Sequence, residues 1–174
     1  LLLRRHNAYT NELVRAGAKF KIVNFHNIKS IKSALKNYNI LINTASNNPY
    51  NPEKKILREN TSLVKNIFNS TIATKIKKII HISSSIIYER KNNNKQMINE
   101  NSKINYNENE YVKSKLLIEK FIEDFNKKQN IDITRIYPGW IISDQDVYFT
   151  TPSKFFYENI YKNILIFCFN GGIS

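Results

Sequence analysis

Short apolar runs alternate with longer amphipathic stretches along most of this chain, and no other feature narrows its folding options as far. Residues 1–3, 19–23, 39–43, 78–82 and 131–137 read as strands, with 39–43 expected to be buried. Between them lie stretches whose apolar residues recur at helical spacing. The segment 11–16 carries Leu13 and Val14 and closes on Gly17 as a C-terminal cap. The segment 28–37 aligns Ile28, Ile31, Ala34 and Leu35. A longer helix opens at Pro52, with Ile56, Leu57, Leu63, Val64, Ile67 and Phe68 on one side, and 111–127 sets Leu117, Phe121 and Phe125 in register. Strand and helix in strict alternation imply β-α-β units, hence an α/β fold with a doubly wound parallel sheet and helices on both faces. The Asn-rich stretch 89–110 reads as surface loop, and 153–163 as a further helix. In such a sheet, ligands bind beyond the carboxyl ends of the strands, so the residues just after each strand are where chemistry is to be sought.

Composition excludes several other classes. The chain has 174 residues, 41% of them hydrophobic, enough for one domain with its own core. The single cysteine, Cys168, allows no intramolecular disulfide. Neither it nor Met97, His6, His26 and His81 have the spacing of a metal-ligand set, so no metal site is expected. Apolar runs such as 164–169 fall far short of the roughly 20 residues that span a bilayer. No charged-then-apolar leader opens the chain, so a soluble, cytoplasmic protein is expected. The net charge of +13 comes from lysines scattered over every segment. Without a basic run or an aromatic RNA-binding signature, specific nucleic-acid recognition is not expected, only weak, salt-sensitive adhesion to polyanions.

Four places after strands, or on the helices between them, carry chemistry. Tyr111 and Lys115 form a YxxxK pattern at the start of an amphipathic helix, where positions i and i+4 share a face. Tyr50 and Lys54 repeat the spacing, but Pro52 between them places Tyr50 ahead of its helix. Ser83, Ser84 and Ser85 follow the strand 78–82, with Tyr88 close behind. Asn60 sits on the helix before that strand. Tyr137-Pro138-Gly139-Trp140 breaks the strand 131–137 and frees backbone groups for a ligand.

Together, in this order, they resemble the extended short-chain dehydrogenase/reductases, the group of the NAD-dependent sugar-nucleotide epimerases and dehydratases and the dihydroflavonol-reductase-like enzymes. The resemblance runs from Leu1 to about Asp146 and implies a Rossmann-type sheet. The run 39–46, ending in Thr44, Ala45 and Ser46, is similar to the strand and small-residue segment beside the cofactor. Asn60 and Asn66 match a helix with two asparagines six apart. The serine triplet resembles the strand end with the catalytic hydroxyl, which precedes the tyrosine by four and so selects Ser84. Glu100 falls where the loop commonly holds an acid. Tyr137, Pro138 and Gly139 resemble the Arg-Pro-Gly segment at the nicotinamide. The pattern departs from the family in four places. The first strand and Gly-rich phosphate turn are lacking, Asn24-Phe25 stands for an Asp-apolar pair at the adenine, Tyr137 replaces Arg, and Ser143 replaces Gly.

The resemblance implies hydride transfer between a nicotinamide and a carbonyl or alcohol carbon, with Tyr111 as acid/base, Lys115 beside it, Ser84 bonding the substrate oxygen and Asn60 ordering the proton path. A free phenol with a pKa of about 10 is too weak a base near neutrality. A cation about 4 Å away, at an effective dielectric near 20, contributes about 4 kcal/mol, enough to lower that pKa by roughly three. Arg4 and Arg5 follow the strand end where the adenosine ribose lies, which favours NADP, with NAD as the alternative. The cofactor set implied is Arg4, Arg5, Asn24, Phe25, Thr44, Ala45, Ser46, Tyr111, Lys115, Tyr137, Pro138 and Gly139. Residues 1–146 are expected to be an incomplete NAD(P)-binding domain and 147–174 the start of a substrate-binding region. Both ends are expected to be cut through a longer protein, leaving a vacant central sheet position with exposed strand edges. A small carbonyl, alcohol or sugar-nucleotide substrate and a homodimer are expected. Pro-Gly-Trp and Asn170-Gly171-Gly172 lean towards the dihydroflavonol-reductase-like branch. The alternatives are a sugar-nucleotide epimerase or dehydratase and a non-catalytic NADP-binding module.

Overall fold

In the computed structural model, which describes residues 1–6, 8–46, 55–89, 97–106 and 109–139, the alternation read from the sequence is realised element by element. Strands β1 (Leu2–Leu3), β2 (Lys21–Ile22), β3 (Ile40–Asn43), β4 (Lys78–Ile82) and β5 (Asp132–Ile136) alternate with helices α1 (Ala8–Arg15), α2 (Ile28–Leu35), α3 (Ile56–Thr71) and α4 (Glu110–Lys128). A 3-10 turn, Ser85–Ile87, follows β4. The expected helix start at Pro52, the residues from Trp140 onward and the helix expected at 153–163 lie outside the described residues.

Local chemistry explains where the helices begin and end. Gly17 closes α1 at a φ of 92°, a left-handed conformation that costs a side-chain-bearing residue about 1–2 kcal/mol. Its N–H bonds the Val14 carbonyl and the Ala18 N–H bonds that of Leu13, a Schellman closure. The Asn27 side chain accepts the Ser30 N–H and starts α2. Asn109 does the same for α4, its Oδ1 accepting the Tyr111 N–H at 2.8 Å. Glu110 in the first turn of α4 and Lys127 and Lys128 in the last complement the helix dipole.

All strand pairs are parallel. β1 pairs with β2, while β3, β4 and β5 form a second group with β4 in the middle. This is a Rossmann-type sheet divided between β1 and β3, where the classic order 3-2-1-4-5-6 places its first strand. The two groups still share the helical layer. Leu2 and Phe25 pack against the main core, and the Asn66 amide of α3 donates to the Phe25 carbonyl at 3.0 Å.

That core is built on one face of β3–β5, from Ile31 and Leu35 of α2, Leu63, Val64, Ile67 and Phe68 of α3, Ile79 of β4, and Ile118, Ile122 and Phe125 of α4. Phe68 is its hub, meeting Phe121, Phe125 and His81 edge-on. Three expectations need correction. Strand β3 is not buried on both faces, since Ile40 and Ile42 are 58% and 61% exposed while Leu41 and Asn43 turn inward. None of the described residues covers the outer face. In α4 the buried stripe runs through Ile118 rather than Leu117, which is exposed. Ile28 is likewise exposed at the start of α2.

Candidate functional site

Because every strand points the same way, the residues after β1, β2, β3, β4 and β5 gather at one edge of the sheet. Arg4 and Arg5 are exposed beyond β1. Beyond β2, Asn24 is exposed with its side-chain oxygen accepting the His26 N–H, and the Phe25 ring turns inward against the core. Beyond β3, the Asn43 carboxamide accepts the Ala45 N–H at 3.1 Å and so shapes the segment Thr44, Ala45 and Ser46. Thr44 and Ser46 are exposed and Ala45 is half-buried.

The strand ends β4 and β5 continue as a pair past their last ladder residues. The Ser83 N–H bonds the Ile136 carbonyl and the Ser85 N–H bonds that of Pro138, at 2.8 and 2.9 Å. Gly139 lies beside this pair, with a Cβ at its position only 3.9 Å from the Ser85 hydroxyl. The three serines differ in what they touch. Ser83 is buried and its hydroxyl donates to Glu119 at 2.6 Å. Ser84 is half-buried and caps the 3-10 turn, accepting the Ile86 N–H. The loop returning through Glu100 pairs with this turn, bridging Tyr88 and Ile104 in antiparallel fashion.

Helix α4 packs its first turns against that 3-10 turn. Tyr111 is half-buried and Lys115 almost fully buried, with the ammonium 5.3 Å from the centre of the Tyr111 ring. Burial pulls the Lys115 pKa down from the ordinary lysine value, and Glu119 one turn on opposes that pull. Asn60 of α3 is buried and its amide donates to the Ser114 hydroxyl, which in turn donates to the Tyr111 carbonyl. The four residues expected to be catalytic thus lie on α3, at the end of β4 and on α4, and α4 packs against both α3 and the turn after β4. No ion pair to the Lys115 ammonium is found among the described residues. A buried cation of this kind suits an anionic or hydroxyl-bearing ligand.

Sequence reasoning missed the acidic centre of this region. The buried Glu119 carboxylate accepts from Ser83, from Arg135 Nη1 at 3.0 Å and from the Tyr137 hydroxyl at 2.8 Å. Tyr137 also stacks edge-on against Tyr88. Burial and the adjacent carboxylate hold the Tyr137 phenol well above the ordinary tyrosine range. Two spacings were the available signals. Glu119 lies four residues after Lys115 on the same helix, and Arg135 lies two before Tyr137 on the same strand face. His81, behind them, receives a hydrogen bond on Nδ1 from Asn43, so its proton sits on Nε2, which is buried without a partner. Burial, and then Lys115 and Arg135, push its pKa down to about 4.

Comparison with known proteins bears on this arrangement. A model of the NAD-dependent epimerase/dehydratase family matches residues 2–164. None of the curated proteins matches the sequence. Among solved structures, gox2253 is similar with a TM-score of 0.80 and 17% identity, over 95% of this chain and 50% of that one. A UDP-N-acetylglucosamine 4-epimerase from Bacillus cereus has a TM-score of 0.64 and 15% identity, over 78% of this chain and 43% of its own. A UDP-glucuronic acid 4-epimerase from Bacillus cereus, in complex with NAD, has a TM-score of 0.62 and 17% identity, over 76% and 43%. This chain spans half or less of the length of each. Identities this low speak for the fold. Among the described residues no helix is long and apolar enough to cross a membrane.

Proposed function

This chain belongs to the NAD-dependent epimerase/dehydratase family, and from that premise we propose that the protein it comes from moves a hydride between a nicotinamide dinucleotide and an alcohol or carbonyl carbon. The observation that carries the reading is the pair on α4, with buried Lys115 holding its ammonium 5.3 Å from the Tyr111 ring. The nicotinamide, when bound, takes or gives the hydride. This chain's residues handle the proton. In the oxidative direction Tyr111, as phenolate, removes the alcohol proton while the carbon gives up its hydride and becomes a carbonyl. In reduction the phenol returns that proton to the oxygen. Lys115 stabilises the phenolate by its charge. Ser84 donates to the reacting oxygen, and Asn60 holds the helix backbone between Tyr111 and Lys115 through Ser114. Thr44, Ala45 and Ser46 would lie beside the cofactor, Tyr137, Pro138 and Gly139 would border the nicotinamide, and Asn24 and Phe25 would stand at the adenine.

Exposed Arg4 and Arg5 at the end of β1 favour the 2′-phosphate of NADP, although the family is NAD-dependent by description. Residues 1–146 then form most of the dinucleotide-binding part and 147–174 begin the substrate part, in a soluble cytoplasmic enzyme and a homodimer. The UDP-sugar epimerases among the similar structures favour a sugar-nucleotide substrate as the second reading. The test uses the complete protein. Tyr111→Phe and Lys115→Met should each lower turnover at least a hundredfold while dinucleotide still binds to the Tyr111→Phe variant. Full turnover in Tyr111→Phe would refute the reading. Equal dissociation constants for NADPH and NADH would remove the arginine argument alone.

A further inference from the structure

The Lys115 ammonium does not stand alone in the interior. One turn beyond it on α4, Glu119 is buried and bonded to Arg135, while Arg135 also reaches Glu123 at 3.7 Å on the exposed rim. We infer that the Glu119–Arg135 ion pair sets the protonation of the Tyr111–Lys115 couple, Arg135 cancelling the carboxylate so that one uncompensated positive charge remains beside Tyr111. Both are positioning residues acting through Lys115, and the inference rests on the acid/base reading of Tyr111.

The argument is a charge count over the groups around the couple. Helix α4 contributes Lys115, Glu119 and the outer Glu123, and β5 contributes Arg135 and the phenol of Tyr137. From β4 comes His81, and from the turn after it Tyr88, which feels Glu119, Arg135 and the loop acid Glu100. Helix α3 contributes the buried, neutral Asn60 and, one residue before it, the half-buried Glu59. Tyr88 and Tyr137 stay protonated, their pKa values raised first by burial. His81 stays neutral above pH of about 4. Two cations, Lys115 and Arg135, therefore meet one buried carboxylate, Glu119, while Glu59 and Glu123 are more exposed. Without Arg135, Glu119 would neutralise Lys115 across one helical turn and withdraw the support of the phenolate. The pairing also compensates the departure from the family pattern at Tyr137. The guanidinium that the family carries at that position is here two residues earlier on the same strand face, and Tyr137 and Arg135 share one carboxylate oxygen.

Titration of Tyr111 by NMR of ring-labelled tyrosine in the complete protein tests this without a substrate, with Tyr111→Phe assigning the resonance. Arg135→Met should raise the Tyr111 pKa by about half a unit or more, and Glu119→Gln should lower it by a similar amount. Arg135→Lys, which keeps the charge, should leave it in place. Arg135 has a side chain one-third exposed, so its two variants keep the test alive should Glu119→Gln fail to fold. Superimposed titration curves, or shifts of the same sign in Arg135→Met and Glu119→Gln, would overturn the inference and leave the pair a structural tie. Turnover of Tyr111→Phe decides the functional reading separately, so the failure of one is distinguishable from that of the other.

Discussion

Helices α3 and α4 against β4, and the unit of β1, α1 and β2, are built from similar residues and differ sharply in what they bury. In the first, Phe68, Ile79, Ile118 and Ile122 are almost wholly enclosed. In the second, Leu13, Val14, Phe20 and Ile22 are exposed, and Val23 at its end is a rare buried aliphatic. The strands follow suit, five residues in β4 and β5 against two in β1 and β2. The dense region holds the candidate residues Tyr111, Lys115 and Glu119, and packing is what keeps such side chains in place. The sparse region carries cofactor candidates at strand ends, and several of its apolar residues lie exposed.

Four perturbations sharpen or break that contrast, in decreasing order of effect. Phe68→Ala should destabilise the fold by about 3–5 kcal/mol, because three ring contacts and a filled core site are lost together. Chemical denaturation measures it, and a cost below about 1 kcal/mol would mean the core is less dense than its burial implies.

His81 gives the second effect. Its folded pKa is depressed from 6.5 to about 4. Between those values the unfolded chain binds a proton that the folded one refuses, so stability falls as pH drops from 6.5 towards 4. The full loss is about 3 kcal/mol. His81→Leu should flatten urea midpoints over this window, and an unchanged slope would assign the acid sensitivity elsewhere.

Gly17→Ala probes the sparse region. Open space surrounds the position, so only the backbone conformation resists, and a cost of about 1 kcal/mol is expected from thermal unfolding. Ile22→Ala should change stability by no more than about 0.5 kcal/mol, since the side chain is already half in water. A loss as large as that of a core residue would show that the outer face of β2 is covered in the working protein.

The contrast also marks how far the sequence could be read. Strand β4 was legible to the residue, because its short isoleucine-rich run is bounded by lysines on one side and serines on the other. The phase of α4 was not: Leu117 and Ile118 are adjacent and both apolar, and only contact with Phe68 and Ile79 selects Ile118. The shared helix of Tyr111 and Lys115 was legible because local spacing carries it, whereas the choice of Ser84 came from the family resemblance. Glu119 was not, since its partners Ser83, Arg135 and Tyr137 lie 36, 16 and 18 residues away. Nor did the alternation of strands and helices say that β1 and β2 would pair separately from β3, β4 and β5.

By itself the sequence determined the order of strands and helices, the parallel sense that follows from it, and the helix face shared by Tyr111 and Lys115. These are consequences of periodicity and of capping residues acting over a few positions. Tertiary structure alone decided which face of β3 is covered, which serine is buried against Glu119, and that Arg135 and Tyr137 meet on one oxygen of that carboxylate. Those outcomes depend on which distant groups meet in a low-dielectric interior, where a buried carboxylate such as Glu119 is costly unless hydrogen-bonded and paired, and no local pattern encodes that meeting.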